Sequence, residues 1–149
     1  MEIRTDPYNL QRFIDAQEST FEAARAELLA GRKRSHWMWF IFPQIKGLGS
    51  SPTAQRFAIS NLQEGAAYLE HPILGRRLED CTALVNAVQR QSVEAIFGYP
   101  DDLKFHSSAT LFAEVVERFG FQTPVFREAL AKHFGGRPDE NTLREMSSS

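Results

Sequence analysis

Helix-start signals recur along the chain, and they constrain its fold more than any other feature. Proline stands beside a residue suited to the start of a helix at five places: Asp6-Pro7, Ser51-Pro52, His71-Pro72, Pro100-Asp101 and Thr123-Pro124. The first turn of a helix tolerates proline because the backbone N–H groups there have no partner within the helix. No segment alternates apolar and polar residues between hairpin turns. We therefore predict an all-α fold.

Apolar residues at helical spacing support this prediction. The clearest amphipathic helix follows Pro72, with a narrow stripe of Leu74, Leu78, Cys81, Val85 and Val88. Residues 7–30 form either one long helix or two short ones, because a capping box at Ser19 and Glu22 interrupts a continuous apolar pattern. Near the C-terminal end, the sequence predicts a helix that is capped by Asp139 and runs to about Met146. The pattern predicts a single irregular array of seven or eight helices of unequal length.

The chain of 149 residues fits one domain, residues 1–149, with an ordered core of about 6–146 and a frayed tail at 147–149. We expect a monomer. No apolar run is long enough for a signal or membrane-spanning segment, which indicates a cytoplasmic protein without a membrane partner.

Composition argues against several classes of function. The net charge of −2 makes a nucleic-acid partner unlikely. One cysteine and four histidines without helical pair spacing predict no metal site. The sequence also lacks a phosphate-binding P-loop and a dinucleotide fingerprint, so no cofactor is expected.

The segment SHWMWFIFPQ, residues 35–44, concentrates apolar and aromatic bulk, including both tryptophans. Ser35 is a suitable cap and Pro43 enforces an end after Phe42, so the flanks favour a helix over a buried strand. We interpret the middle as core. Trp37, Trp39 and Gln44 are candidates for the border of a site.

Polar residues interrupt the apolar stripe of the helix that begins at Pro100. One and two turns before Leu111 and Phe112, the positions that continue the stripe include Lys104, Ser107 and Ser108. Either the domain edge passes there and the serines bond to their own helix, or these residues line a polar cavity.

Two further segments could serve an anionic ligand. In GLGSS, Gly49, Ser50 and Ser51 precede a helix start, where free N–H groups attract oxyanions. A glycine turn with a serine cap explains the same residues without a ligand. Arg34 ends a basic run that is either a solvated turn or part of a binding site. His36 is the candidate acid or base if chemistry occurs.

Three sequence blocks resemble one family: KRSHWMWFIFPQIKGLGSS, YLEHPILGRRL and IFGYPDDLKFHSSATLF. Together they are similar to a widespread, largely bacterial, all-helical domain family of unknown function that is often mislabelled calpastatin. The resemblance spans about Leu10 to Met146 and implies a helical array without implying a reaction. A fainter similarity in architecture is to helical N-glycosidase domains that act on ADP-ribose-type substrates, from which no catalytic residue carries over.

The sequence leaves two main functions open. The first is binding of an anionic small molecule, a nucleotide or sugar phosphate, near the SHWMWFIFPQ-GLGSS and DDLKFHSS segments. If this site is an enzyme's, the N-glycosidase similarity implies a hydrolase for a nucleotide- or ADP-ribose-type substrate. The alternative is a protein-binding module that uses an aromatic patch with a basic rim.

Overall fold

Ten helices make up the regular structure of residues 5–148, the part of the chain that the computed structural model describes. The all-α prediction is confirmed, while the predicted number of seven or eight helices was too low. The helices are α1 (Gln11–Glu18), α2 (Phe21–Leu29), α3 (Met38–Ile41), α4 (Pro52–Arg56), α5 (Leu62–Glu70), α6 (Leu74–Ala87), α7 (Val93–Phe97), α8 (Asp101–Phe119), α9 (Val125–Phe134) and α10 (Glu140–Ser148).

The additional helices are either short or result from the division of one predicted segment into two helices. The first predicted segment contains two helices, separated at Ser19 and Thr20. A five-residue helix, α7, was not predicted at all, although Ser92 caps it by accepting a hydrogen bond from the Ala95 N–H at 3.1 Å. At the other end, α10 runs two residues beyond Met146.

The longest helix, α8, forms the centre of the array. It packs against α5, α7, α9 and α10, while α6 packs against α2, α3, α5 and α9. A nearly continuous stretch of α8 is buried, from Phe105 and Ser107 to Ala113. Burial on several sides explains why the apolar stripe of this helix is less distinct in sequence than that of α6.

The aromatic segment contributes a single helical turn, α3, and a cluster of rings. Trp37 and Phe42 are buried, and Phe42 contacts Phe97 and Phe105 edge to face, with ring centroids 5.8 and 5.1 Å apart. Such contacts fix ring orientation in addition to burying apolar area. The interpretation of the middle of this segment as core agrees with its burial.

A short loop after α3 is held against the chain that follows α4. Ile45 and Ile59 form an isolated parallel bridge, in which the Ile59 N–H donates to the Gln44 carbonyl and the Lys46 N–H to the Ile59 carbonyl, both at 2.8 Å. This bridge fixes the backbone that leads from α3 into the glycine turn.

Within residues 5–148, no helix has the length and apolar character needed to cross a lipid bilayer.

Candidate functional site

A cavity of about 340 Å³ lies between the loop after α3, the first turns of α8 and the start of α10. Its volume is within the range of small-molecule sites in proteins. Its walls combine apolar side chains with polar groups from three separate segments. The lining residues are Trp39, Gln44, Leu48, Gly49, Pro100, Leu103, Lys104, Ser107, Asp139 and Asn141.

Lys104 lies at the α8 wall as part of a charged triad. The Asp101 carboxylate forms ion pairs with two ammonium groups, that of Lys104 at 3.0 Å and that of Lys33 at 2.9 Å. Burial alone would raise the pKa of Asp101, but the two lysines outweigh burial and lower it below its ordinary range. Because two cations share one anion, the triad keeps a net positive charge beside the cavity.

Each lysine of the triad also lies over a tryptophan. The Lys104 ammonium is 4.2 Å from the ring centroid of Trp39, and the Lys33 ammonium is 5.2 Å from that of Trp37. Cation–π attraction at these distances helps to hold both side chains in place. The first turn of α8 is therefore tied to both tryptophans of the aromatic segment.

Asp139 lines the cavity at the start of α10, the helix that it caps. Its Oδ2 accepts hydrogen bonds from the Thr142 N–H at 3.1 Å, the Thr142 hydroxyl at 2.5 Å and the Ser107 hydroxyl at 3.2 Å. All the side-chain hydrogen bonds of Asp139 within residues 5–148 involve Oδ2, so Oδ1 carries none of them. Ser107 also donates to the Leu103 carbonyl at 3.1 Å, as a serine bonded to its own helix does.

The glycine turn closes a third side of the cavity. A Cβ atom at Gly49 would lie 2.7 Å from the Ala54 Cβ and 3.4 Å from the Trp39 ring. Only glycine allows this close approach of backbone, helix α4 and indole. Gly49 therefore shapes the cavity by the absence of a side chain.

Five of the predicted site residues converge on this cavity: Trp39, Gln44, Gly49, Lys104 and Ser107. Ser108 is buried on α8 and does not line it. The sequence argument missed the contribution of Asn141 and recognised Asp139 only as a cap. Asp139 and Asn141 lie more than 30 residues after Lys104, and no local pattern in the sequence indicated that they would line the same cavity.

The remaining predicted residues lie elsewhere. Trp37 is 2% exposed, and its indole N–H donates to Glu27 at 3.0 Å, so it is a core residue and does not border the cavity. Arg34 and His36 are exposed and do not line the cavity. These three residues therefore do not join Lys104 at this cavity.

The serines of the glycine turn also have another role. Ser51 caps α4 by accepting the Ala54 N–H at 3.1 Å, and the Ser50 carbonyl accepts the Gln55 side-chain amide at 2.9 Å. Both serines are exposed, and neither lines the cavity. The simpler interpretation, a glycine turn with a serine cap, therefore accounts for them.

Two other titratable side chains, His106 and Cys81, are held in contacts within the fold. His106 Nε2 lies 2.8 Å from the Arg137 carbonyl, and its ring stacks on Phe134. Burial raises the pKa of the Cys81 thiol to about 12, which keeps it protonated and unreactive at neutral pH. Within the described residues, no three histidine, cysteine, aspartate or glutamate side chains are grouped so that they could hold a metal ion.

Comparison with known proteins identifies relatives without a described activity. Residues 7–146 match the family described as "Protein of unknown function (DUF1810)". The chain is similar to the crystal structure of the conserved hypothetical protein Rv1873 from Mycobacterium tuberculosis, with 51% sequence identity and a TM-score of 0.90. That match covers 97% of this chain and 100% of the other. No curated protein matches the sequence significantly.

Proposed function

The chain belongs to the DUF1810 family, whose function is unknown, and from this premise we propose that its cavity binds a small sugar-containing molecule with a single phosphate group. A sugar phosphate or a nucleoside monophosphate is the class of ligand that suits the lining residues. Binding, without a committed reaction, is the function that the geometry supports best.

The convergence of distant segments on one cavity carries this proposal. Gln44, Lys104 and Asp139 belong to three parts of the sequence and line the same space of about 340 Å³. A mostly apolar cavity with a few convergent polar groups is the usual form of a small-molecule site. In this cavity a cation, a carboxylate and two amides lie beside the apolar side chains Trp39, Leu48 and Leu103.

The charges favour one phosphate over several. Lys104, as part of the net positive triad with Lys33 and Asp101, would attract a phosphate group. Asp139, which also lines the cavity, would repel further phosphates, while its Oδ1 could accept a hydrogen bond from a sugar hydroxyl. One cation and one carboxylate therefore suit a ligand with one phosphate and free hydroxyl groups.

Apolar groups complete the ligand contact. Trp39, Leu48 and Leu103 line the cavity, and Leu103 is one of the exposed large apolar side chains of the protein. A sugar ring or base could cover this surface and remove it from water. Such burial would add affinity without adding charge.

Glycosidic-bond hydrolysis has less support than binding. His36, the candidate acid or base, lies outside the cavity. Asp139 is the carboxylate that lines it, and its Oδ2 is occupied with capping α10. We therefore propose a binding site and assign no catalytic residue.

Within the described residues, the aromatic run from Trp37 to Phe42 offers little exposed surface for a protein-binding patch. Trp37 is buried, and Trp39 and Phe40 are partly buried against the core. None of the three is among the exposed large apolar side chains. The small-molecule proposal uses Trp39 as a wall of a cavity, which agrees with its partial burial.

The proposal is tested with Lys104→Ala and calorimetric titration of ribose 5-phosphate and AMP. We expect wild type to bind at least one of them and Lys104→Ala to bind it roughly 10- to 150-fold more weakly, because a charge-assisted hydrogen bond is lost. Asp101 retains Lys33 in this variant, so the melting temperature should change little.

Arg118→Ala is the matched control. Arg118 also lies on α8 and pairs with a carboxylate of its own helix, Glu114 at 3.5 Å, but it does not line the cavity. The control removes the same charge and should bind the ligand as wild type does. Equal affinity in Lys104→Ala and Arg118→Ala, or no binding of either ligand to wild type, would contradict the proposal.

A further inference from the structure

Lys33 is a charged side chain that the fold encloses although it does not line the cavity. Its side chain is only 9% exposed. The two neighbouring cations of the basic run, Arg32 and Arg34, are exposed, as is usual in a solvated turn. Removing a lysine from water is unfavourable unless a partner compensates for the lost hydration. The burial of Lys33 within an otherwise exposed run therefore directs attention to its partners.

Both the backbone and the side chain of Lys33 are held in place. The Lys33 N–H donates to the Ile96 carbonyl at 2.7 Å, which ties the loop after α2 to α7. The ammonium group lies 5.2 Å from the ring centroid of Trp37 and 2.9 Å from Oδ2 of Asp101. Lys33 therefore places a fixed positive charge at the first turn of α8.

The two lysines of the triad pair with different oxygens of Asp101. Lys33 pairs with Oδ2, and Lys104 pairs with Oδ1 at 3.0 Å. The negative charge of one carboxylate is therefore divided between two ammonium groups. Without Lys33, Lys104 would be the ion-pair partner that Asp101 keeps within residues 5–148, and the two charges would cancel.

We propose that Lys33 is a positioning residue for the cation of the cavity wall: by pairing with Asp101, it keeps the charge of Lys104 available to a phosphate group. This inference rests on the proposed function. Lys33 acts through Asp101 and does not touch the ligand. The contact of the Lys104 ammonium with the Trp39 ring, at 4.2 Å from the centroid, does not depend on the charge of Asp101. Lys33 therefore changes the net charge at the wall more than the place of Lys104.

The experiment titrates ribose 5-phosphate and AMP into wild type, Lys33→Met, Asp101→Asn and the double variant. Methionine is chosen because its unbranched apolar side chain packs well against an aromatic ring such as Trp37. Lys33→Met should bind roughly 3- to 30-fold more weakly than wild type, because one unit of positive charge is lost near the phosphate. Arg32→Met is the matched control and should bind as wild type does, since Arg32 is an exposed neighbour without an ion pair within the described residues.

The double variant separates the charge of Lys33 from its contribution to the fold. Asp101→Asn should bind the ligand more tightly than wild type, because it removes the anion beside Lys104. Lys33→Met combined with Asp101→Asn again leaves one positive charge, that of Lys104, and should recover the affinity of wild type to within about threefold. If Lys33 only supported the fold, the second substitution would weaken binding further.

The outcomes distinguish this inference from the proposed function. Equal affinity of wild type and Lys33→Met, or a double variant that binds no better than Lys33→Met, overturns the role of Lys33 while the proposed site stands. If Lys33→Met does not unfold cooperatively on heating, Lys33→Gln, which retains a donor for Asp101, replaces it with the same expected loss. No binding of either molecule to wild type overturns the proposed function and, with it, this inference.

Discussion

At the scale of single residues, Glu27 organises the segment that leads into α3. Its carboxylate accepts the backbone N–H groups of Arg34 and Ser35 at 2.6 and 2.9 Å, the Ser35 hydroxyl at 2.6 Å and the Trp37 indole N–H at 3.0 Å. Burial would raise the pKa of Glu27, but these hydrogen bonds outweigh it and lower the pKa to about 2. Glu27 therefore stabilises the fold in its ionised form.

Glu27→Gln should destabilise the protein at neutral pH by about 2 kcal/mol, because the amide replaces a charged acceptor of several donors. The folded-state pKa is lowered from an ordinary value of 4.5 to about 2. The stabilisation is thus complete above about pH 4.5 and is lost as the pH falls toward 2. Urea unfolding of wild type and Glu27→Gln across this range measures the difference.

The two proteins should approach equal stability near pH 2. Glu22→Gln, on the same helix, is the control and should follow wild type, since Glu22 is exposed and has no ion pair within the described residues. A difference between wild type and Glu27→Gln that is independent of pH would contradict the assignment.

The sequence located some of these residues and could not locate others. The interruption of an apolar stripe identified Lys104 and Ser107, because burial of polar groups on a helix follows from local spacing. No such rule connects Glu27 with Trp37 or Asp139 with Lys104. Glu27 bonds Trp37 across the loop between α2 and α3, and Asp139 reaches Ser107 only because α10 packs against α8. Helical periodicity carries no information about either contact.

At the scale of elements, the crossing of α5 and α6 depends on a glycine. The chain turns sharply between the two helices, and a Cβ atom at Gly75 would lie 2.0 Å from the carbonyl oxygen of Leu69. Backbone cannot yield at this point without separating the helices. A glycine within a helix normally costs about 1 kcal/mol relative to alanine, so its presence here indicates a packing requirement.

Gly75→Ala should therefore destabilise the protein by roughly 3 kcal/mol or more, despite the better helix propensity of alanine. Gly65→Ala is the control, because its Cβ would meet a side chain, the Val115 Cγ2 at 2.8 Å, rather than backbone. Denaturant unfolding should show a smaller loss for Gly65→Ala, since a side chain shifts more easily than the backbone between two helices. A Gly75→Ala protein as stable as wild type would show that the crossing is not limited by this contact.

Helix starts were more predictable than the number or ends of helices. Capping side chains act within three or four residues, as at Asn61, which accepts the Glu64 N–H at 2.8 Å. The five-residue helices α4 and α7 are too short for apolar periodicity, and the broken pair α1 and α2 could not be distinguished from one helix. Their limits are set by packing partners that lie elsewhere in the sequence.

At the scale of the whole molecule, the all-α class and the family predicted from three sequence blocks are confirmed, because both depend on patterns within the chain. The arrangement around α8 and the cavity beside it could not be predicted in the same way. The segment from Trp39 to Gly49 and the start of α8 had been marked in the sequence, but the third part of the cavity wall comes from the start of α10, which packs against α8.

The expectation of a monomer remains a prediction. The exposed large apolar side chains within residues 5–148 are few: Leu29, Ile73, Tyr99, Leu103 and Phe119. Light scattering after size-exclusion chromatography should give a mass near 16.9 kDa at micromolar concentration. A mass near twice this value would contradict the expectation.

The pairing of each lysine with a tryptophan gives the protein a built-in optical reporter. Trp37 and Trp39 are the two indoles of the chain, and the ammonium group above Trp39 belongs to the cavity wall. A nearby charge shifts the electronic transitions of an indole, so an anion that draws Lys104 toward itself would alter the emission of Trp39. Trp37 does not line the cavity, so most of the change in emission would come from Trp39, and occupancy of the cavity could be followed without a label.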